Sequence, residues 1–579
     1  MKIREITIHN FRSLKDVTLT LDDYSLLVGR NNAGKTAVLT ALRCFYEEGG
    51  AKFAPDLDFP KFPVDDDESW IEIHFLTTNE EQESLKKEYR SDDRVLRVRR
   101  YFKSANSAMV KSNQSNIYGY EHGALSPNLF YGAKNVSQAK VGLAIYIPEV
   151  CRTDETMKLS GPSPLREMIN FVMKRAVSES VCFSRLQQAF ATFDEEFKEE
   201  ASKDGFSVNL LVGRINEGIA HWGIRFGVEV QPLRPEEIVK TLLNHHIEDE
   251  NLGGKRVNIS SYGQGLQREL IYTLIRLSME FVAPRKEERK DFDPEFTLIL
   301  FEEPEAFLHP SQQERLNASL RLLAAEPGQQ VLITTHSPLF VSKQVEELTS
   351  IIRLQKPAGV TSRFQLLRAD VGNLLDGNLG LYKKFSDMLM DEGVLETVKA
   401  SIRKRKLGDA SPDDEAKLQD EAVHFLLWLN AERAASFFAR QVVICEGQTE
   451  KVLFDYLVSQ IWSDLRDRGV YFIDALGKFS MHRFMAIFSG LGIRHSVIMD
   501  KDNDADIHSV VNEFITGRQT PFTRGIHCFD RDLEDFLGIS QATRPDKKPL
   551  HVMSCLRGGK IKREKITELR AIIDGLTRN

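Results

Sequence analysis

Apolar and polar residues alternate near the start of the chain, and this pattern predicts short strands. Alternation over Lys2–Ile8 and Val17–Leu21 is typical of strands that bury one face. Tyr24–Val28 is a compact apolar run and predicts a further strand. It leads into Gly29–Thr36, a polar loop that contains glycine, and Ala37–Tyr46 then carries apolar residues at helical spacing. The chain is therefore predicted to begin with strands, a glycine loop and a helix.

The middle of the chain mixes helical and strand patterns. Pro164–His246 is mostly helical and charged, which predicts an inserted helical subdomain, and it lacks the sustained heptads of a long coiled coil. Val257–Met279 has the pattern of a loop followed by a strongly apolar helix. Thr297–Phe301 and Val331–Thr335 are fully apolar, as in a parallel sheet that is covered on both faces. The other strands predicted here are Trp70–Leu76, Val95–Phe102 and Ala144–Ile147.

A second compositional unit follows late in the chain. Arg403–Gln419 is charged and poor in large apolar residues, so it predicts a linker or an exposed helix and loop. Strand patterns at Val442–Cys445, Val470–Ile473 and Ser496–Met499 alternate with helical patterns. This βαβαβ order predicts a second, smaller domain with a parallel sheet.

Composition narrows the classes of protein that fit. The 579 residues include 77 basic and 84 acidic ones, a net charge of −7, which excludes a uniformly basic coat for nucleic acid but allows local basic grooves. No apolar run approaches the ~20 residues of a membrane helix, and Met1–Phe11 has no signal-peptide core. The six cysteines never form a CxxC pair, which argues against a zinc ribbon or a disulfide framework. We therefore expect a cytoplasmic protein without a membrane partner.

The glycine loop carries the spacing of a phosphate-binding motif. Gly29-Arg-Asn-Asn-Ala-Gly-Lys-Thr36 matches GxxxxGK[ST], between an apolar strand and a helix. Backbone N–H groups and the helix N-terminus of such a loop surround phosphate oxygens. Lys35 is predicted to reach the β- and γ-phosphates, and the Thr36 hydroxyl to bind Mg²⁺. The residues expected to contact nucleotide are Asn31, Asn32, Gly34, Lys35 and Thr36.

Acidic residues follow the strand Thr297–Phe301. In a P-loop enzyme the first acid, here Glu302, helps to hold Mg²⁺, and the second, Glu303, polarises the attacking water. His336 ends the next apolar strand, where it is predicted to sense the γ-phosphate. The alternatives are a solvated acidic turn and a structural histidine.

A cluster of Ser, Gly and Gln lies at the start of a predicted helix. Ser261, Gly263 and Gln264 lie in the segment Ser-Tyr-Gly-Gln-Gly and predict a second anion site, although the same residue types also make ordinary helix caps. The order of P-loop, SYGQG, EEPEAFLHP and TTHSP resembles that of the ABC-type ATPases of the SMC, RecF and OLD group. In that family the signature segment of one subunit completes the ATP site of another. The resemblance therefore implies a head-to-head dimer.

The start of the chain and the acidic strand end carry the same resemblance. Asn10-Phe-Arg-Ser13 resembles the family's opening segment, in which the arginine, here Arg12, approaches the nucleotide. The usual acid at the strand end is Asp, whereas this chain has Glu302, and the EEPE variant is the one that OLD-like ATPases carry. The stretch between Lys35 and Glu303 lacks the heptads of an SMC-like arm, which predicts a compact head with a modest helical insertion.

Two acidic groups follow strands of the late domain. Glu446 and Glu450 flank a tight turn after one strand, and Asp500 and Asp502 follow another. In a parallel sheet both groups emerge at the same carboxyl edge, where ligands usually bind. Carboxylates that converge without partners repel one another, and Mg²⁺ or Mn²⁺ relieves that repulsion. The alternatives are a capped helix start and a solvated turn.

This EGxTE…DxD pattern closely resembles the Toprim domain of topoisomerases, primases and OLD nucleases. The resemblance implies that Asp532 and Glu534 belong to a further acidic stretch, and that Lys560 stabilises charge on the scissile phosphate. No topoisomerase tyrosine is identifiable, and the scattered cysteines provide no primase zinc ligands, which leaves phosphodiester hydrolysis with divalent ions. The predicted catalytic residues are Glu303, Glu446, Glu450, Asp500, Asp502, Glu534 and Lys560, and the predicted metal ligands are Thr36, Glu302, Glu446, Glu450, Asp500, Asp502, Asp532 and Glu534.

Together the two resemblances identify the chain as a member of the OLD family. They imply an α/β protein: an ABC-type P-loop ATPase head with a helical insertion, followed by a C-terminal Toprim domain with a Rossmann-like parallel sheet. The predicted boundaries are 1–360 for the ATPase domain with its insertion at about 164–246, 361–438 for a helical linker and 439–579 for the Toprim nuclease domain.

The family implies an ATP-binding, metal-dependent DNA endonuclease, often in antiphage defence, with ATP and Mg²⁺ or Mn²⁺ as cofactors. The implied partners are DNA, a homodimer or higher oligomer through the ATPase heads, and either a helicase, as in Gabija systems, or a retron reverse transcriptase with its small DNA. A RecF-like ATP-switched clamp without nuclease activity and a nucleotide-depleting effector remain as alternatives. The basic strips expected to follow DNA are Arg97–Lys103, Arg403–Lys406, Lys547–Lys548 and Lys560–Lys565, each of which is otherwise solvated surface.

Overall fold

The computed structural model describes residues 1–149, 169, 180–228, 244, 246–263, 265–267, 269–271, 273–274, 277, 292–341, 345–405, 407, 431–501 and 507–578. The chain divides into two compact units, one of Met1–Glu149 with Arg289–Asn579 and the other of Val150–Glu288. Within the described ranges, no helix has the length and apolar character that crossing a bilayer requires.

The strands are numbered in chain order. They are β1 (Lys2–Phe11), β2 (Leu14–Thr20), β3 (Tyr24–Val28), β4 (Ser69–Leu76), β5 (Val95–Lys103), β6 (Ile117–Glu121), β7 (Ala124–Leu129), β8 (Leu143–Ile147), β9 (Ile247–Asp249), β10 (Lys255–Val257), β11 (Thr297–Glu302), β12 (Gln329–Thr335), β13 (Ile351–Gln355), β14 (Ser362–Gln365), β15 (Gln441–Cys445), β16 (Val470–Asp474), β17 (Arg494–Asp500) and β18 (Thr523–Phe529).

Helices connect and cover these strands. The α-helices are Lys35–Tyr46, Pro55–Asp58, Asn79–Ser84, Val181–Glu199, Val208–Ile219, Pro310–Ala325, Arg368–Met390, Glu396–Lys404, Ala431–Ala435, Gln448–Gln460, Ser463–Asp467, Met481–Gly490, Ile507–Thr516, Leu533–Leu537, Lys548–Arg557 and Arg563–Thr577.

Two six-stranded sheets form the ATPase part of the first unit. One is antiparallel in the order β2-β1-β4-β5-β6-β7, and the other has the order β14-β13-β3-β12-β11-β8, with only β14 antiparallel to its neighbour. The helix Lys35–Tyr46 packs in the core between them, where Ile6, Leu39, Phe75 and Leu300 are fully buried. The strands predicted at residues 24–28, 297–301 and 331–335 lie side by side in the second sheet, as the continuous apolar runs indicated.

The late domain contains a fully parallel sheet in the order β16-β15-β17-β18. Cys445 of β15 pairs with Asp474 of β16 and with Ile498 of β17, so the carboxyl ends of these strands are level. The predicted βαβαβ order is present and continues into β18. An ABC-like ATPase part and a separate parallel sheet thus agree with the predicted α/β class.

The second unit contains the predicted helical insertion only in part. Within it the structure describes the helices Val181–Glu199 and Val208–Ile219 and the antiparallel pair β9 and β10. Of the predicted apolar helix after Ser261, residues 265–267, 269–271, 273–274 and 277 are described and helical. The rest of that helix, the remaining parts of Pro164–His246, and residues 406 and 408–419 of the predicted linker lie outside the described residues. The boundaries at 360 and 438 stay predictions.

A buried arginine joins the ATPase sheet to the parallel sheet of the late domain. Arg353 lies on β13, is 4% exposed, and donates to the carbonyl oxygens of Phe437 (Nε, 3.1 Å), Ala439 (Nη2, 3.0 Å), Leu491 (Nη1, 3.2 Å) and Gly492 (Nη1, 3.1 Å). Burial lowers its pKa to about 10, so the guanidinium stays charged near neutral pH. One cation thus satisfies four main-chain acceptors across the junction.

Replacing Arg353 with Met should destabilise this junction. The variant leaves buried carbonyl oxygens without donors, at a cost of about 1–3 kcal/mol for each group that water cannot reach. We therefore expect the free energy of unfolding to fall by about 3 kcal/mol or more, measured by urea denaturation with tryptophan fluorescence.

The matched control is Arg466→Met on the exposed face of Ser463–Asp467. An R353M chain that unfolds at the same urea concentration as the R466M control would show that the guanidinium does not hold the junction.

Candidate nucleotide and nuclease sites

The glycine loop turns sharply into the helix that begins at Lys35. Gly34 is the N-cap residue with φ of 108°, and a Cβ built there would lie 2.5 Å from the Thr361 hydroxyl oxygen. Only glycine fits this position without strain. The loop lines a cleft of about 630 Å³, which lies within the ~300–1,000 Å³ typical of ligand pockets.

Lys35 lies at the base of this cleft. Its Nζ donates to the Gly29 carbonyl oxygen (2.8 Å) and lies 2.5 Å from Nε2 of His336, which is itself 3.2 Å from Oε1 of Glu303. Burial lowers the pKa of Lys35, while the carboxylates at the end of β11 oppose that shift. The lysine, the histidine and the second acid predicted for the nucleotide site are therefore in contact.

Glu302, the first acid at the end of β11, contacts the Thr36 hydroxyl, which the sequence predicts to bind Mg²⁺. The Thr36 hydroxyl donates to Oε1 of Glu302 (2.8 Å), and the Tyr146 hydroxyl donates to the other carboxylate oxygen. This arrangement is typical of a P-loop site in which a strand-end acid and the loop threonine share a hydrated cation. Tyr146 on β8 also belongs to this site. The sequence does not identify it, because it lies in an apolar strand that matches no functional motif.

Arg12 lines the same cleft. Its Nε donates to Oδ1 of Asp58 (2.9 Å), and its Nη1 donates to the Thr40 hydroxyl (3.2 Å). The exposed residues Asn31 and Asn32 form another part of the cleft wall. The predicted nucleotide contacts of the loop therefore share one cavity with Arg12.

The predicted signature segment lies in the second unit. Ser261 and Gly263 are exposed, and the Ser261 hydroxyl donates to the Asn258 carbonyl oxygen (2.6 Å). Gln264 lies outside the described residues. The anion site of Ser261, Gly263 and Gln264 stays a prediction.

In the late domain, the carboxyl edge of the sheet brings two predicted acids together. The Asp500 N–H donates to Oε2 of Glu446 (3.1 Å). The ammonium of Lys478, 1% exposed, donates to the Asp500 carbonyl oxygen and lies 3.7 Å from the Glu446 carboxylate. Strand pairing between β15 and β17 causes this approach, because their carboxyl ends are level.

Glu450 and Glu534 belong to the same group. Burial, together with the neighbouring carboxylates of Glu446 and Glu534, raises the pKa of Glu450 to about 7. Glu534 is 1% exposed, and its Oε1 lies 3.6 Å from Nζ of Lys548. The Gly447 N–H also donates to Glu450 (3.0 Å), so the capped helix start proposed as the alternative is present as well. Capping thus does not exclude Glu450 from the acidic group.

Two lysines near these acids have different surroundings. Burial lowers the pKa of Lys548, but Glu534, Asp500, Asp532 and Glu450 outweigh it and raise that pKa above its usual value. Lys560 is exposed, and no ion pair joins its side chain to an acid in the described part of the chain. The sequence predicts Lys548 only as part of a basic strip, since this first residue of the helix Lys548–Arg557 matches no motif.

The remaining predicted ligands are less available or not described. Asp532 caps the helix Leu533–Leu537 by accepting from the Asp535 N–H (2.8 Å), and its other oxygen accepts from Nε2 of Gln541 (2.5 Å). Asp502 lies outside the described residues. Asp474 also ends a strand at this edge, but a buried ion pair with Arg433 (2.6 Å) occupies its carboxylate.

The donor set at this edge suits a hard cation. Glu446, Glu450, Asp500 and Glu534 offer oxygen atoms as ligands. The raised pKa of Glu450 reflects burial first and then the neighbouring carboxylates of Glu446 and Glu534. Among the described residues, which exclude Asp502, no three or more acids, histidines or cysteines are already arranged around a common ion position. The fit therefore rests on the chemistry and burial of the acids.

Comparison with known proteins agrees with this two-part organisation. The family model described as AAA ATPase domain matches residues 1–145 and 163–341, more than half of the chain. A model described as the Toprim domain of overcoming lysogenization defect-like proteins matches residues 437–502.

Two relatives match along most of the chain. The Old nuclease of Escherichia phage P2 is 23% identical over 522 residues, 87% of this chain and 77% of its own length. The endonuclease GajA of Bacillus cereus strain VD045 is 21% identical over 523 residues, 87% of this chain and 75% of its own length. Among solved structures, the SMC head domain of Thermotoga maritima aligns with 63% of this chain and all of its own, at 12% identity and a TM-score of 0.29. With its ATPase model and its Toprim model in this order, the chain belongs to the AAA ATPase domain family and is an OLD-type member of it.

Proposed function

We propose that the chain is an ATP-regulated, metal-dependent DNA endonuclease whose cleavage site is the acidic carboxyl edge of the Toprim sheet. One observation carries the proposal: Glu446, Glu450, Asp500 and Glu534 lie at this edge, where the Asp500 N–H donates to Glu446 (3.1 Å). Burial there, together with the carboxylates of Glu446 and Glu534, raises the pKa of Glu450 to about 7. A chain that needed only a folded domain would gain nothing from collecting buried carboxylates. The two relatives are a nuclease and an endonuclease by name, which supports the same reaction class.

A divalent ion, Mg²⁺ or Mn²⁺, is the cofactor that this donor set favours. Glu446, Glu450, Asp500 and Glu534 would hold it, with Asp502 as a predicted further ligand. When bound, such ions neutralise charge on the phosphate oxygens during hydrolysis. Without them the carboxylates would repel the DNA backbone, so cleavage requires the ion before the substrate.

Two lysines balance and orient the acids. Lys478 holds the backbone at Asp500 and faces the Glu446 carboxylate (3.7 Å), which fixes the end of β17 against β15. Lys548 lies 3.6 Å from Glu534 and is near enough to the acids to offset negative charge when a phosphodiester enters. We propose a charge-stabilising role for Lys548 beside the one predicted for Lys560.

ATP acts at the other site as a switch. Lys35, Thr36, Glu302, Glu303 and His336 would bind and slowly hydrolyse it, and a second copy of the chain would supply the signature residues. The ATPase sheet is joined to the Toprim domain through Arg353. A nucleotide that favours one arrangement of the ATPase heads by a few kcal/mol would therefore also favour one arrangement of the nuclease site. This coupling supports regulation of cleavage by ATP.

The biological setting that we propose is antiphage defence in the bacterial cytoplasm. The likeness to the endonuclease GajA and the family resemblance support this setting, in which a helicase or a retron reverse transcriptase would be the companion. The rival function is a RecF-like DNA clamp whose Toprim domain only binds metal or a partner. The gathering of four carboxylates around Lys478 and Lys548 favours the nuclease.

Removing one acid should abolish cleavage and leave the nucleotide site intact. For Glu446→Gln and Asp500→Asn we expect plasmid nicking with Mg²⁺ or Mn²⁺ to fall at least about 100-fold, because each change removes a charged ligand from the site. ATP affinity should stay within about twofold of the parent value, since the P-loop is untouched.

Asp467→Asn is the matched control, because Asp467 is exposed on the helix Ser463–Asp467 of the same domain. Plasmid nicking by the Glu446 and Asp500 variants at the rate of this control would reject the cleavage site.

Nucleotide gating is tested with Glu303→Gln. This change should let ATP bind and slow its hydrolysis, because Glu303 is the acid next to His336 and Lys35 that would polarise the attacking water. When ATP is titrated and plasmid cleavage is measured, the curve of the variant should therefore lie at lower ATP concentration than the curve of the parent. Cleavage curves of parent and variant that coincide with and without nucleotide would rule gating out.

A further inference from the structure

A row of arginines lies along the amino edge of the Toprim sheet, opposite the acids. Arg440 immediately precedes β15, Arg494 begins β17, and Arg524 is the second residue of β18. These three strands are neighbours in the sheet. Adjacent strands lie ~4.8 Å apart, so the row spans about 10 Å.

The row continues into a cleft beside the P-loop. The cleft has a volume of about 440 Å³, and its basic lining residues are Arg30, Arg353, Lys356, Arg440 and Arg494. None of the described residues that line it is acidic. Its wall on the ATPase side is the outer face of the loop residues 30–33, which also line the nucleotide cleft. A ligand here would therefore touch the nucleotide site from the other side.

Arginines of this edge differ from nearby structural arginines in whether a carboxylate pairs with them. At the neighbouring β16 end, Arg468 pairs with Asp574 (2.8 Å), and Arg570 pairs with Asp464 (2.9 Å). By contrast, Arg30, Arg440 and Arg524 are exposed and form no ion pair within the described ranges. Burial, followed by the like charges of Arg524 and Arg440, lowers the pKa of Arg494.

We infer that this amino edge, together with the outer face of the P-loop, binds the phosphate backbone of duplex DNA at a site separate from the cleavage site. Phosphates of one DNA strand follow one another every 3.4 Å along the duplex axis, so a row of about 10 Å can face about three of them. Strand β15 separates Arg440 from Glu446 by about 20 Å, at ~3.3 Å per residue. DNA held here is thus not the segment being cut.

The choice of DNA as the polyanion rests on the proposed function, whereas the anion site itself does not. Bound DNA would contact Arg30 and Lys356 beside Asn32, to which Lys356 donates (3.5 Å). DNA and nucleotide would then be sensed by the same loop. None of the basic strips predicted from the sequence includes Arg440, Arg494 or Arg524, because each arginine stands alone in the chain and only the sheet brings them together.

The test measures binding of a fluorescein-labelled 30-bp duplex to the full chain by anisotropy, in EDTA so that no cleavage occurs. The double variant Arg440→Gln, Arg524→Gln should bind at least about tenfold more weakly in 100 mM salt. It should also reduce the slope of log affinity against log salt by about 2, because two phosphate contacts are lost. The pair Arg440→Lys, Arg524→Lys keeps both charges and should retain most of the slope.

Arg466→Gln, also an exposed arginine of the Toprim domain, should bind the duplex as the parent does. Parent-like affinity and slope in the double Gln variant would overturn the inference. The inference would also be overturned if the double Gln variant lost binding to a fluorescent poly-glutamate probe but bound the duplex as the parent does. The row would then bind an acidic protein. Because the assay contains no metal, a chain that binds through the row but never cuts plasmid would contradict the proposed nuclease and not this site.

Discussion

Negative charge buried at the end of a parallel sheet is the constraint on which the late domain depends. Glu450, Asp500 and Glu534 are each less than a tenth exposed, and with Glu446 they share one edge. Charges removed from water must be paired, hydrogen-bonded or neutralised. Lys478 and Lys548 provide part of that compensation, and the raised pKa of Glu450 indicates that they do not provide all of it. In the function that we propose, a divalent cation would supply the missing positive charge.

The junction between the two sheets depends on shape as well as charge. Besides Arg353, the Gln355 amide donates to the Gly492 carbonyl oxygen (2.6 Å). A Cβ at Gly492 would lie 2.4 Å from the ring of Phe364, and φ there is +63°. The strand that carries these donors, β13, is hydrogen-bonded to β3, which leads into the P-loop. Nucleotide site and nuclease sheet are therefore connected through two strands of one sheet, a short path for coupling.

Prediction from sequence succeeded where a segment is apolar along its whole length. Tyr24–Val28 was predicted without error, and the strand ends at Glu302, His336 and Glu446 brought their acids and histidine to the expected edges. Strands β14 and β18 were missed because they carry Arg363 or Arg524 among few apolar residues, and only tertiary pairing makes them strands. Strand β13 was missed because Arg353 interrupts its short apolar run. Lys548 and Tyr146 were missed for a related reason, since their partners lie far away in the sequence.

The most direct measurement is a crystal structure of the full chain grown with Mn²⁺, with the ion located by its anomalous scattering. We expect a manganese peak at the carboxyl edge of the Toprim sheet, within about 2.5 Å of carboxylate oxygens of Glu446 and Asp500. This peak should disappear in crystals of the Glu446→Gln chain, while any peak at the P-loop stays. Manganese bound only at the P-loop of the parent chain, with the Toprim acids held by lysines alone, would contradict a metal-dependent site at this edge.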